Sequence, residues 1–171
     1  MPSSCTRPFG VWPAQLPEGL GVLAVHRALD ERFSVGHSPA LADAMGVETE
    51  GDPLRRGGTP IGLVGRLRQP DVEARVAEVF GGVEATLGEP REGQTVALVG
   101  AMTPELIADA ADRRVSHYVT GQIRGAAREA AEAAGLRVIA VGQARAETWG
   151  LRYLAGVLRD RWPSLAVVWR G

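Results

Sequence analysis

Residues 95–147 read TVALVGAMTPELIADAADRRVSHYVTGQIRGAAREAAEAAGLRVIAVGQARAE, and this stretch decides the fold. Thr95 to Val99 is a short apolar, β-branched run ended by Gly100, the pattern of a buried strand. Thr103-Pro104-Glu105 then opens a helix, with Thr as N-cap, Pro at the first helical position and an acid in the first turn. Leu106 and Ala110, four apart, face inward. His117 to Thr120 is the next strand, turned by Gly121. A helix follows from Ile123 to Ala134, with the small face Ile123, Ala126, Ala127, Ala130 and Ala134. Arg128 and Glu132 sit on its solvent side, and Gly135 stops it. Arg137 to Val141 is a third strand. A long helix runs from about Arg145 to Trp162, with Leu151, Leu154, Ala155 and Leu158 as its buried stripe and Pro163 as its end. Leu165 to Trp169 reads as a closing strand. Strands alternating with helices at this spacing make βαβ units and a largely parallel sheet.

Upstream the pattern is less regular. Leu20 to Val25 reads as a strand leading into His26-Arg27-Ala28-Leu29-Asp30. Ser38-Pro39 opens a short helix carrying Leu41, Ala42 and Met45, stopped by Gly46. Gly51 to Pro60, rich in Gly, Pro and Arg, reads as a loop, and Ile61 to Leu67 as a strand. Asp71 begins a helix with Val72, Val76, Val79 and Phe80 on one face, and Val83 to Leu87 is a further strand. Gly88 to Gly93 separates the two halves.

The bulk numbers narrow the function classes. The chain has 171 residues, 45% of them hydrophobic and 23% charged, which are globular values. A formal net charge of −1 gives no footprint for a phosphate backbone, and Arg55-Arg56 lies in a loop without a basic stripe, so nucleic acid is not the expected partner. Every basic residue is Arg. Without Lys there is no Schiff-base or P-loop lysine chemistry. The single cysteine, Cys5, allows neither an intrachain disulfide nor a cysteine-based zinc site. No run is apolar enough to span a bilayer and no secretory segment is evident, so a cytoplasmic location and no membrane partner are expected.

Ligands of open parallel sheets bind where strands end and helices begin. Two such junctions carry acids here. Asp30 follows the strand at 20–25, and Glu147 lies at the start of the last helix, in line with Leu151, Leu154 and Leu158, so its carboxylate is expected at the sheet-facing edge. The helix dipole favours an ionised carboxylate there, ready for a cation. Gln143 precedes it by four residues. Each residue also has a plainer reading: Glu147 as a helix-start acid, Asp30 as a turn residue, His26 as a structural histidine. Composition and spacing stop at an α/β domain with an acidic site.

Ordered motifs carry the reading further. Tyr118-Val119-Thr120-Gly121-Gln122-Ile123, followed by Val138-Ile139-Ala140-Val141-Gly142-Gln143-Ala144-Arg145-Ala146-Glu147, resembles the C-terminal signature of the NIF-three-like dinuclear-metal hexamer family, the GTP cyclohydrolase I type 2 homologues. That signature reads roughly y-I-T-G-E-I, a helix, then a-G-H-x-x-x-E before a long helix. Leu63-Val64-Gly65-Arg66-Leu67 resembles the family's central G-x-v-G-x-L strand. His26 to Asp30 resembles its H-t-n-l-D, and Gly36 to Val47 its n-x-x-L-A-x-x-L-G-l.

The resemblance, with the strand–helix alternation, implies a three-layer α/β/α architecture with two similar lobes around mixed, largely parallel sheets. The lobes would be 1–90, truncated relative to the family, and 91–171, together one family domain. It implies divalent metal ions, one or two, with Asp30 and Glu147 as retained ligands and His26, Gln143, Thr120 and Gln122 as neighbours. It also implies departures. Gln143 replaces the histidine of the G-H-x-x-x-E motif, Gln122 replaces the glutamate of T-G-E, and Thr6-Arg7-Pro8 keeps only the proline of a His-His-Pro motif. Two carboxylates and an amide oxygen form a hard, weak donor set, suited to Mg²⁺ or Ca²⁺ more than to zinc or iron. His37 and His117 match no family ligand and read as structural or solvent-exposed. No residue is assigned a catalytic role. Two functions follow: a metal-dependent hydrolase acting on a nucleotide-like substrate, or a non-catalytic oligomeric scaffold or binding protein with a degenerate site. In either case the implied partner is the chain itself, in a hexameric ring, with Trp12, Trp149 and Trp169 serving packing or subunit contacts.

Overall fold

The computed structural model describes residues 18–19 and 37–168. The order of elements is α1 (His37–Met45), β1 (Val47–Thr49), β2 (Leu54–Arg56), β3 (Thr59–Leu67), α2 (Val72–Phe80), β4 (Ala85–Leu87), β5 (Thr95–Val99), α3 (Pro104–Asp112), β6 (His117–Thr120), α4 (Gly125–Ala133), β7 (Arg137–Ala140) and α5 (Gln143–Arg161). The strand expected at 20–25 lies outside the described residues.

All seven described strands join one sheet in the order β1-β3-β5-β6-β7-β4, with β2 also on β3. The centre, β5-β6-β7, is parallel, and the pairings on both flanks are antiparallel. Followed through the pairings, β1, β2, β5, β6 and β7 point one way and β3 and β4 the other, so the sheet is mixed and largely parallel. Strands on either side of residues 88–93 therefore share one sheet, since β3 pairs with β5 and β4 with β7.

Helices cover both faces, which makes three layers. Ala97, Val99, Tyr118 and Val138 pack with Leu106, Ile107 and Ala110 of α3 and Ala127 and Ala131 of α4. Val96, Leu98, Val119 and Ile139 pack on the other face with Leu41 and Met45 of α1, Val72 and Val76 of α2, and Ala146 of α5. Successive residues of a strand point to opposite faces. A strand covered on both sides is then apolar through its middle, with polar residues left to its ends, as His117, Thr120 and Arg137 are.

Local signals place the helix ends. Thr103 Oγ1 accepts from the Leu106 amide, as its N-cap position requires. Asp71 Oδ1 accepts from the Ala74 amide at 2.9 Å at the start of α2.

Several expectations need correction. Residues 54–56 form β2, hairpinned onto β3 through Gly57-Gly58, where a loop was expected over 51–60. The buried face of α4 is Ala127 and Ala131, while Ala126 and Ala134 are exposed, because the helix starts at Gly125 rather than Ile123. The last helix starts at Gln143, and the residues it buries are Ala146, Gly150 and Ala155. Leu151, Leu154 and Leu158 are only half-buried, because close approach of α5 to the sheet needs its small residues at the contact. Residues 165–168 form no strand. The chain turns there, with the Leu165 amide on the Trp162 carbonyl at 2.9 Å, and Arg159 takes the Val167 carbonyl. Trp149 tilts against Phe80 at 6.5 Å and stacks on Tyr153 at 6.0 Å, a packing role, while Trp12 and Trp169 lie outside the described residues.

Candidate functional site

The three parallel strands end together in glycine: Gly100 after β5, Gly121 after β6 and Gly142 after β7. Two hydrogen bonds carry the ladder past the last two strand ends, Val141 N to Thr120 O at 3.0 Å and Gly142 N to Gly121 O at 2.9 Å. A crevice opens at this edge, walled by Leu41 of α1, Phe80 of α2, Val119, Val141 and Ala146 of α5. It is an apolar recess at the carboxyl ends of parallel strands, where open α/β sheets bind their ligands.

Gln143 and Glu147 stand at its lip, on the first turns of α5. Gln143 Nε2 donates to Glu147 Oε1 at 2.8 Å, with Gln143 exposed and Glu147 half-buried. Two glycines make this arrangement fit. A Cβ on Gly121 would lie 2.9 Å from Gln143 Oε1, so only glycine lets the amide fold over the end of β6. Gly142 has φ +97°, and a Cβ there would meet Glu84 Oε2 at 2.7 Å. Glu84 thus comes to the amino end of α5 from the turn before β4, a contact that the sequence does not signal. Arg145 turns back onto the Val141 carbonyl at 3.1 Å.

The other expected neighbours separate. Thr120 is buried and its hydroxyl has no hydrogen-bond partner. Thr120 itself lines the crevice, while alternation along β6 puts its side chain on the Tyr118 face of the strand. Gln122 is exposed. His26 and Asp30 lie outside the described residues. His117 is buried at the opposite, amino end of β6, a structural position.

These residues can be tested against a metal. Among the described residues no group of three His, Cys, Asp or Glu side chains is placed to hold one. The donor set at the lip is one carboxylate and one amide, and the amide turns its N–H, not a lone pair, toward the carboxylate. By donor chemistry this pair does not fit a dinuclear centre of borderline cations.

Fold and site together define a three-layer α/β protein with an apolar crevice at the carboxyl ends of its parallel strands and an acid on the following helix. The chain belongs to the Duf34/NIF3 (NGG1p interacting factor 3) family, whose model matches residues 14–169. It is 26% identical over 147 residues to the GTP cyclohydrolase 1 type 2 homolog of Archaeoglobus fulgidus, covering 85% of this chain and 60% of that one. It is 28% identical over 155 residues to the protein of the same name from Pyrococcus horikoshii, again covering 85% of this chain and 60% of the relative. The chain thus spans about 60% of the length of these curated relatives. Among solved structures, protein ybgI, of unknown function, matches with a TM-score of 0.68 at 24% identity over 80% of this chain and 56% of its own. Reduced HcgD from Methanocaldococcus jannaschii matches with a TM-score of 0.64 at 20% identity over 80% of this chain and 55% of its own. These two likenesses establish the fold. No helix among the described residues is long and apolar enough to cross a membrane.

Proposed function

We propose that this chain is a ligand-binding, non-catalytic member of its family, an oligomeric binding or scaffold protein whose dinuclear centre has been reduced to at most one hard cation. The observation behind this is the 2.8 Å hydrogen bond from Gln143 Nε2 to Glu147 Oε1. An imidazole at position 143 offers a lone pair to a cation, whereas the amide spends its donor on the carboxylate that a metal would need. Asp30 is the second carboxylate of the reduced set, and with Glu147 and an amide oxygen it suits Mg²⁺ or Ca²⁺. A cation held there would supply positive charge for an anionic or heterocyclic ligand at the mouth of the crevice. The walls of the crevice, Phe80 and Val141 among them, take the apolar part of that ligand.

A second reading, metal-dependent hydrolysis of a nucleotide-like substrate, is favoured by the place of Glu147 at the carboxyl edge of the sheet and by the names of the curated relatives. Here Asp30 and Glu147 would hold the cations, which would supply an activated water. Elemental analysis and light scattering on one purified sample separate the two. The first reading expects a hexameric ring with at most one equivalent of metal per chain. Two equivalents, with a hydrolytic rate abolished by Asp30→Ala and by Glu147→Ala, overturn it in favour of the second. A monomer removes the scaffold role.

A further inference from the structure

At the amino ends of the parallel strands, opposite the crevice, His117 opens β6 and Arg137 opens β7, direct partners across the ladder. Both are buried, at 4% and 8% exposure. They lie beneath the first turn of α2. Arg137 Nε donates to Glu73 Oε1 of that turn at 2.7 Å, and its Nη1 donates to the Gly88 carbonyl. One guanidinium therefore ties β7, α2 and the segment leaving β4.

The protonation of His117 can be followed from its partners. Ser116 Oγ donates to the Thr95 carbonyl at 2.7 Å, so it can only accept from His117 Nδ1, which lies 3.0 Å away. The imidazole is then satisfied while neutral, with Nδ1 carrying the proton and Nε2 left as an acceptor. The charges facing the ring are Glu73 and Asp71 on α2, Arg137 on β7, and Arg91 in the segment before β5. Burial holds the imidazole below its ordinary value of 6.5, against the pull of Glu73 and with the help of Arg137.

We propose that His117, Arg137 and Glu73 form an acid-sensitive latch that fastens the start of α2 and Gly88, just after β4, to the amino end of the sheet. Protonation of His117 sets a second positive charge beside Arg137, and it draws on Glu73, the carboxylate that Arg137 already holds. The folded ring binds its proton less readily than a hydrated one. The latch is therefore at full strength above about pH 6.5 and weakens as pH falls through that value. The far end of α2 carries Phe80, a wall of the crevice, so release at one end of the helix reaches the ligand site at the other. The inference stands on the geometry of the amino end and is independent of the reading of Glu147.

Hydrogen exchange on the full chain at pH 7.5 and 5.5, corrected for intrinsic rates, tests it. Protection of the amides of Ala74 and Arg75, which bond to Asp71 at the start of α2, should drop at the lower pH, while the amides of β5 and β6 hold. In His117→Gln, which keeps a neutral donor beside Ser116, the acid-dependent drop should vanish. If the wild type shows no drop, or the variant shows the same one, the latch is wrong. Should that variant fail to fold, imidazole NMR on the wild type decides. A His117 midpoint below 6.5 that coincides with the loss of protection supports the latch, and a midpoint at or above that value overturns it.

Discussion

Gln143 Nε2 donates to Glu147 Oε1 across one turn of α5, and the same Gln143 side chain rests its Oε1 on Gly121 at the end of β6. The amide is thus held through its nitrogen by the carboxylate, while the glycine leaves room for its oxygen. An amide locked in this way closes the lip of the crevice instead of opening it to a metal.

Replacing that amide should reopen the position. Gln143→His is expected to raise the bound divalent metal, because a neutral imidazole supplies a lone pair and releases the carboxylate of Glu147. Elemental analysis of the variant after incubation with Zn²⁺ or Mn²⁺ and desalting should find more metal than in the wild type. An unchanged content would mean that Gln143 does not limit metal binding.

Gly121→Ala places a methyl 2.9 Å from Gln143 Oε1, the far end of a flexible side chain. The backbone of the strand end accepts alanine, so the cost in stability should be about 1 kcal/mol or less. The effect should fall on the site: Gln143 is pushed aside and Glu147 loses its donor. NMR of the Gln143 side-chain amide reads the displacement, and a Tm lowered by more than about 10 °C would point to a larger rearrangement.

Glu73→Ala leaves Arg137 buried with the Gly88 carbonyl as its remaining partner. Breaking a fully buried ion pair costs about 3–5 kcal/mol. The Glu73 side chain is 38% exposed, and water screens the pair, so a loss of about 2 kcal/mol is expected instead. For a chain of this size that corresponds to a fall in Tm of about 4–8 °C, measurable by calorimetry. A change within error would show that the pair contributes nothing net.

Tyr118 is fully buried and its hydroxyl donates to the Ala101 carbonyl at 2.7 Å. Burial pushes the phenol far above its ordinary range. The folded state holds this proton more tightly than the unfolded chain does, so stability is full below about pH 10 and falls as pH rises beyond it. Tyr118→Phe should lose about 1 kcal/mol for the hydrogen bond at neutral pH, and should flatten the alkaline decline. Denaturant titrations at pH 8 and 10.5 give both numbers.

The sequence alone determined the alternation of strands and helices from residue 95 onward, the caps at Thr103 and Asp71, and the membership in a family whose motifs surround Gly121 and Gly142. These were legible because each is a local signal: a β-branched run, an N-cap oxygen, a glycine at a turn. It also placed Gln143 and Glu147 together, since residues four apart share one helix face. Tertiary structure decided the rest. Residues 54–56 become a strand only because β3 lies beside them. The small residues of α5, and not its leucines, touch the sheet because that distance is set by the packing of two layers. Thr120, next to Gly121 in the motif, lines the crevice yet keeps its hydroxyl buried without a partner, because both faces of β6 are covered. The meeting of Arg137, Glu73 and Gly88 joins residues far apart in the chain, and no local pattern encodes it. What became of the metal site is a question of the same kind. The family resemblance implies Asp30 and Glu147 as ligands, and the fold turns the Gln143 amide onto the Glu147 carboxylate.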